Sequence, residues 1–245
     1  MHHSDIGFCA ACGVSEIEVF SSLKALVIST GEEVIDVETK AQIGQVHDVN
    51  MPVVKSMLND YGFSVIETML IQDDQVKLQN TLIKYRELVD LIIISGGSSQ
   101  GEKDYTAEVI NNCGDPGVFV HGVAIKPGKP TILGASQDCL MVGLPGQPVS
   151  ALTVLREVIL KAYDQAYQQK SLKIQAKLTQ NIIGSPGRDT TIYVQLRENN
   201  GDKLALPLYT KSGLISTLKK ADAYVIIPRN HEGYPNDSIV DCYLW

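Results

Sequence analysis

Long apolar runs are missing from this sequence of 245 residues, and no stretch approaches the roughly 18 residues that a membrane-spanning helix needs. A helical membrane protein and a membrane partner are therefore not expected. Positive charge is also scarce. Lys and Arg number 21 against 28 Asp and Glu, a net charge of -7, which argues against broad nucleic-acid binding. Any anionic ligand must then be held by a local basic cluster. Cysteine is sparse and odd in number, at five, so no disulfide framework is expected. Cys9 and Cys12 form a C-x-x-C without a second pair or a His pair at zinc spacing, and they are read as small packing thiols. The opening "MHHSDIGFCAACGVSEIEVF" lacks a basic segment ahead of an apolar one. It does not read as a secretory signal, which leaves the cytoplasm as the expected compartment. Internal repeats and low-complexity tracts are absent.

What remains is ordinary globular material, with 44% hydrophobic and 20% charged residues, in a chain long enough for two domains. From Leu23 to about Tyr167, short apolar runs alternate with amphipathic segments. "LKALVIS", "FSVIETMLI" and "VDLIIIS" read as strands; "PVVKSMLNDYG" and "QVKLQNTLIKYREL" read as helices. "VDLIIIS" shows no alternation, the mark of a strand covered on both faces, so the reading is a three-layer, doubly wound, mostly parallel α/β domain over 23–168. "DYTAEVINNCG" predicts a helix capped by Asp104 and ended by Gly114; "VFVHGVAI", "TILGAS" and "CLMVGLPG" predict strands; "PVSALTVLREVILKAYDQAY" predicts a long closing helix that starts at Pro148. Residues 171–245 change to short alternating runs broken by "SPGRD", "NNGD" and "RNHEGYPND", which predicts a small all-β domain. Residues 1–22 are read as a linker or the remnant of a preceding domain.

Ligands of open α/β sheets bind beyond the carboxyl ends of the strands. Three loops are expected at that edge: 29–34 ("STGEEV"), 72–74 ("QDD") and 95–104 ("SGGSSQGEKD"), all carrying acids. The glycine-serine loop is neither a Walker A loop, since Glu102 stands where the lysine belongs, nor a G-x-G-x-x-G turn. It is compatible with an anion cradle or with a plain strand-to-helix turn. "IKPGKP" places Lys126 and Lys129 on a stiff loop, which suits clamping an anion as well as it suits solvated surface. "GLPGQPVSA" fixes the backbone around Gly146 with Pro145 and Pro148 and puts Ser150 in a first helical turn, which an ordinary proline-initiated helix would also do. Glu32, Glu33, Asp73, Asp74 and Asp104 form an all-oxygen set that would suit magnesium if gathered, whereas singly they serve as caps or solvated charges.

Taken in order, "VISTGEEV", "VHDVN", "SGGSSQGEKDYT", "IKPGKP", "GLPGQPVSA", "GRD" and "KSGLISTL" resemble the molybdopterin molybdenumtransferases, the MoeA and gephyrin E-domain family, from about residue 5 to the C-terminus. The resemblance implies a molybdopterin-binding α/β domain followed by a β domain, and the Mg²⁺-dependent insertion of molybdate into adenylated molybdopterin with release of AMP. It implies catalytic and magnesium-holding roles for Glu33, Asp74 and Asp104. Thr30, Gly31, Gly96, Gly97, Ser99, Pro145, Gly146 and Pro148 would bind the molybdopterin and its phosphate; Lys126, Lys129, Ser150, Arg188 and Ser212 would bind molybdate. It also implies a homo-oligomer, because family members carry two further domains that build a dimer, and this chain begins inside what resembles their final segment. Three positions depart from the family pattern: Glu32 for its Asp, Gln147 for its Asn, and "SSQG" for "VSVG". The alternatives from the same pathway and beyond it are a molybdopterin adenylyltransferase, which normally stops after the α/β unit, and a non-catalytic molybdopterin-binding scaffold.

Overall fold

In the computed structural model the described residues are 3–96, 105–168, 171–209 and 213–245. Helix α1 (His3–Ala11) precedes β1 (Lys24–Thr30), the paired β2 (Val34–Ile35) and β3 (Val46–His47), and α2 (Asn50–Asp60). Next come β4 (Ser64–Ile71), α3 (Gln75–Tyr85), β5 (Leu91–Ser95), α4 (Tyr105–Asn111) and β6 (Pro116–His121). β7 (Ile125–Lys126), β8 (Ile132–Ser136), β9 (Cys139–Leu144) and α5 (Pro148–Val154) follow. A π-helical stretch, Leu155–Leu160, joins α5 to α6 (Lys161–Ala166). The expected closing helix is therefore continuous but locally widened.

The first sheet has the order β4-β1-β5-β9-β8-β6, with β4, β1, β5 and β9 parallel and β8 and β6 antiparallel at one edge. Both faces are covered. On one, Ala25, Val27, Leu91, Ile93 and Val142 pack against Val54 and Leu58 of α2 and against α5. On the other, Leu26, Ile28, Ile92, Ile94 and Met141 pack against Leu78 and Leu82 of α3 and Val109 and Ile110 of α4. Successive side chains of a strand point to opposite faces, so an unbroken apolar run supplies both cores. The i, i+4 pairs Val54/Leu58 and Leu78/Leu82 supply the matching helix stripes. Tyr61 and Gly62 end α2, with Gly62 at φ +81.

The expected single strand "VFVHGVAI" is two. β6 pairs with β8 in the first sheet, whereas β7 pairs in parallel with β12 (Asp189–Asn199) of the second. The chain continues through β10 (Lys173–Leu178), β11 (Ile182–Ile183), β12, β13 (Asp202–Pro207), the single-turn α7 (Ile215–Leu218), β14 (Ala223–Ile227), β15 (Gly233–Tyr234) and β16 (Ile239–Leu244), with β11 and β15 paired as a separate two-stranded sheet. Because β13 pairs with both β10 and β12, the strands β13-β10-β16-β14-β12 close into a small barrel, and β7 joins its outer side. Closure removes exposed strand edges. Barrel and α/β unit also share side-chain packing, since the buried Tyr193 hydroxyl lies 2.8 Å from Thr153 Oγ1 of α5.

The reading of Cys9 and Cys12 as packing thiols is corrected: Cys12 is exposed and Cys9 half-buried on a helix with no buried residue. A helix with no apolar partner cannot enclose them. Cys113, Cys139 and Cys242 are buried, and desolvation pushes the thiol of Cys139 up to about 12 and that of Cys242 to about 11. Thiolate is the nucleophile, so alkylation of the folded chain near pH 8 should label Cys12 first and leave these three unlabelled until denaturant is added, as peptide mass mapping would show. Prompt labelling of Cys139 would contradict this packing.

Candidate functional site at the sheet edge

All four parallel strands end level. Thr30 lies opposite Ile71, Ser29 opposite Ser95, and Ser95 opposite Leu144. The chain passes from β1 to β4 on one side and then crosses to β5 on the other, so strand order reverses between β1 and β5. That reversal opens a crevice at their carboxyl ends. The three expected acidic loops, after β1, β4 and β5, do leave from this edge, joined by the loop after β9.

The loops are in close contact. Gly96, at φ +120, lies so near β1 that a Cβ there would be 2.1 Å from the Thr30 carbonyl oxygen and 2.6 Å from Thr30 Oγ1. A Cβ on Gly146 would sit 3.7 Å from the Gly96 Cα. Pro145 is buried, and Pro148 opens α5 after Gln147 in an extended conformation, as expected for proline at a helix start. Asn50, at the start of α2, donates from Nδ2 to Ser95 Oγ (2.7 Å) and to the Gly146 carbonyl (2.9 Å). One amide thus ties the loops after β5 and β9 to α2. Asp48 Oδ1 accepts from the backbone N–H groups of Asn50 (3.0 Å) and Met51 (3.2 Å). Ser29 Oγ, Thr30 Oγ1, Asp48 Oδ2 and Asn50 Oδ1 are buried and have no hydrogen-bond partner among the described residues.

The acids are less concentrated than the sequence invites. Glu33 is exposed near Gly31, its Oε2 3.2 Å from a Gly31 Cβ position. Asp74 caps α3, accepting from the Lys77 N–H at 2.9 Å, and Asp73 accepts from the Tyr105 hydroxyl at 2.9 Å. Glu33 and Asp74 leave from neighbouring strands and are hard oxygen donors of the kind magnesium takes. Among the described residues no group of three His, Cys, Asp or Glu is placed to hold a metal ion. Asp104, the third expected acid, lies outside the described residues, as do Gly97, Ser99 and Ser212.

Of the expected oxyanion residues, Lys126 of the first domain is brought to the turn of the second that carries Arg188. Pairing of Ile125 with Asp189 and of Lys126 with Thr190 sets Lys126 beside the "SPGRD" turn, where Ser185 bridges to Arg188. Lys126 Nζ donates to Ser185 Oγ at 2.6 Å, and the Ser185 N–H is held by Thr190 Oγ1 at 3.0 Å. Gly128 lies against α5, a Cβ there being 3.7 Å from the Ser150 carbonyl oxygen. Ser150 lies in the first turn of α5, four residues after Gly146, so this segment links the sheet edge to the cation loop. Lys126, Lys129 and Arg188 are exposed, and Ser150 is buried. Asp48, Asn50, Ser95 and Ser185 were not singled out by sequence reasoning. Asp48 and Asn50 left a signal, an Asp-x-Asn just ahead of a helical pattern; Ser185 left none, because its role depends on a pairing across domains.

Residues 26–165 match the family model of the probable molybdopterin binding domain, and residues 175–245 that of the MoeA C-terminal region, domain IV. Among curated proteins, the chain is 31% identical over 248 residues to a molybdopterin biosynthesis protein of Methanocaldococcus jannaschii, covering 98% of this chain and 59% of the relative. It is 35% identical over 183 residues to the molybdopterin molybdenumtransferase of Haemophilus influenzae, covering 73% of this chain and 45% of that protein. The chain therefore spans about half the length of these relatives. Among solved structures, the molybdopterin biosynthesis MoeA protein of Pyrococcus horikoshii superposes with a TM-score of 0.83 at 30% identity, covering 100% of this chain and 60% of the other.

Proposed function

This chain belongs to the MoeA family of molybdopterin-binding proteins, and from that premise we propose that it inserts molybdate into adenylated molybdopterin with release of AMP. The observation that carries the reading is the meeting of two unlike subsites across one turn of α5. One is the crevice of Thr30, Gly96, Gly146 and Asn50, which suits a heterocycle and its phosphate. The other is the cation loop, where Lys126 is bonded to Ser185 of the turn that carries Arg188, and Gly128, between Lys126 and Lys129, lies against the Ser150 carbonyl. Paired cations and hydroxyls match a tetrahedral dianion through charge-assisted hydrogen bonds. Ser185 holds the Lys126 ammonium in place before the anion arrives, so less side-chain freedom is lost on binding. The chain then acts by positioning: it brings the oxyanion to a fixed distance from the bound phosphoanhydride.

Magnesium, when bound, would neutralise charge at that phosphoanhydride, and among the described residues Glu33 and Asp74 are its holders in this reading; Asp104 joins them as catalytic acid. Gly31, Gly97 and Ser99 complete the phosphate subsite, and Ser212 the molybdate subsite. A cytoplasmic homo-oligomer is the accompanying expectation. The test is AMP release from adenylated molybdopterin at varied molybdate. Lys126→Ala should raise the molybdate needed for half-maximal release by about tenfold to a hundredfold, the value of one lost charged hydrogen bond. AMP release indifferent to molybdate in the unaltered protein would overturn the reading, and ATP-dependent adenylation would favour the adenylyltransferase.

A further inference from the structure

We infer that Cys9 and Cys12 form a two-thiolate site for a soft monovalent cation of the Cu(I) class. The pair lies on helix α1, ahead of both matched domains and outside the two subsites of the proposed reaction. It has no packing role, because Cys12 is exposed, Cys9 is half-buried and α1 buries none of its residues. Of the five cysteines, these are the two that solvent reaches; Cys113, Cys139 and Cys242 are buried.

The backbone fixes the spacing of the pair. The Cys12 N–H donates to the Phe8 carbonyl at 3.0 Å, which keeps Cys12 in the helical ladder. Behind it, the Gly13 N–H donates to the Ala10 carbonyl (3.0 Å) and the Val14 N–H to the Cys9 carbonyl (2.9 Å). With Gly13 at φ +73, these two bonds make a Schellman motif that locks the last turn. Side chains three apart on a helix share a face, with Cβ atoms about 5–6 Å apart. A disulfide needs Cβ atoms about 3.5–4.5 Å apart, so closing one here means unwinding the turn. An ion between the sulfurs suits the wider spacing: two metal–sulfur bonds of about 2.3 Å hold the sulfurs up to about 4.6 Å apart and leave the Cβ atoms further apart still.

The number of ligands selects the ion. Thiolates are soft donors, which favour Cu(I) or zinc over magnesium and calcium. Zinc takes four protein ligands in a structural site and three in a catalytic one. Among the described residues no group of three His, Cys, Asp or Glu is placed to hold an ion, so this chain supplies two sulfurs. Cu(I), with a filled d shell and a single charge, is satisfied by two thiolates in a line. Its binding displaces the two thiol protons and leaves the oxidation states of copper and sulfur unchanged.

The test is anaerobic titration of the reduced full chain with Cu(I) in competition with bicinchoninate, a chelator whose colour reports the copper it keeps. The chain should withdraw one equivalent without a change in sedimentation coefficient, and that equivalent should block alkylation of Cys12. Cys9→Ser, Cys12→Ser and the double variant should each lose the equivalent yet keep the unfolding midpoint, since neither thiol is packed. Cys113, Cys139 and Cys242 remain in these variants, so copper retained by the double variant would lie elsewhere and overturn the inference. Failure of the unaltered chain to withdraw copper from the chelator would overturn it as well. So would Zn²⁺ taken up in preference to Cu(I) at one ion per two chains with dimerisation, which would mean a four-thiolate site between copies. Ready closure of a Cys9–Cys12 disulfide by glutathione disulfide at neutral pH would also sink it, because the turn would then not hold the sulfurs apart.

Discussion

Replacing Gly96 by alanine should both destabilise the chain and abolish ligand binding at the sheet edge. The residue stands at φ +120, where a side chain is strained by about 1–3 kcal/mol. The new Cβ would lie 2.1 Å from the Thr30 carbonyl oxygen, a backbone atom in a fully paired strand. Relieving that overlap means separating the loops after β1 and β5, with an overpacking cost of about 1–3 kcal/mol more. The Asn50 hydrogen bonds to Ser95 and Gly146 straddle the same point and would loosen with it. Gly62→Ala is the control: φ is +81 and nothing lies within 4 Å of the added carbon, so only the left-handed backbone cost of about 1–2 kcal/mol applies. Urea unfolding of the two variants isolates the contact. Equal losses would mean that the β1–β5 approach is not tight.

Asp164→Ala should cost about 3–5 kcal/mol, among the largest effects of any single change outside the sheet edge. Asp164 accepts from Arg156 Nη1 at 3.3 Å, and the two side chains are 8% and 13% exposed. The guanidinium also lies over the Tyr61 ring, 5.3 Å from its centroid. Removing the carboxylate leaves a positive charge in a low-dielectric pocket beside the π-helical stretch. Joint replacement, Arg156→Met with Asp164→Leu, should recover most of the loss, because no lone charge then remains. For contrast, Asp241→Ala at the exposed pair with Lys173 should leave the unfolding midpoint unchanged. A small loss in Asp164→Ala would show that water reaches Arg156.

The α/β layers were legible because their cause is local. "VDLIIIS" lacks alternation, and only a strand covered on both faces has that pattern, as the burial of all five residues of β5 bears out. Val54/Leu58 and Leu78/Leu82 likewise announce their helices by spacing alone. The split of "VFVHGVAI" into β6 and β7 was not legible. Its second half is fixed by partners more than sixty residues later, Asp189 and Thr190, and no local pattern encodes which sheet a two-residue strand will join.

The site divides in the same way. Residue identity along the sequence determined the cations, the prolines and the glycines, because charge and backbone freedom belong to each residue wherever it lies. Which of them meet was decided by the tertiary structure: β7 on β12 sets Lys126 against Ser185, in the turn that carries Arg188, and strand reversal between β1 and β5 brings Gly96 against Thr30. The unmatched oxygens of Asp48 and Asn50 belong wholly to that level. A hydrogen bond left unmade depends on every neighbour in space, and the chain's order records only neighbours in sequence.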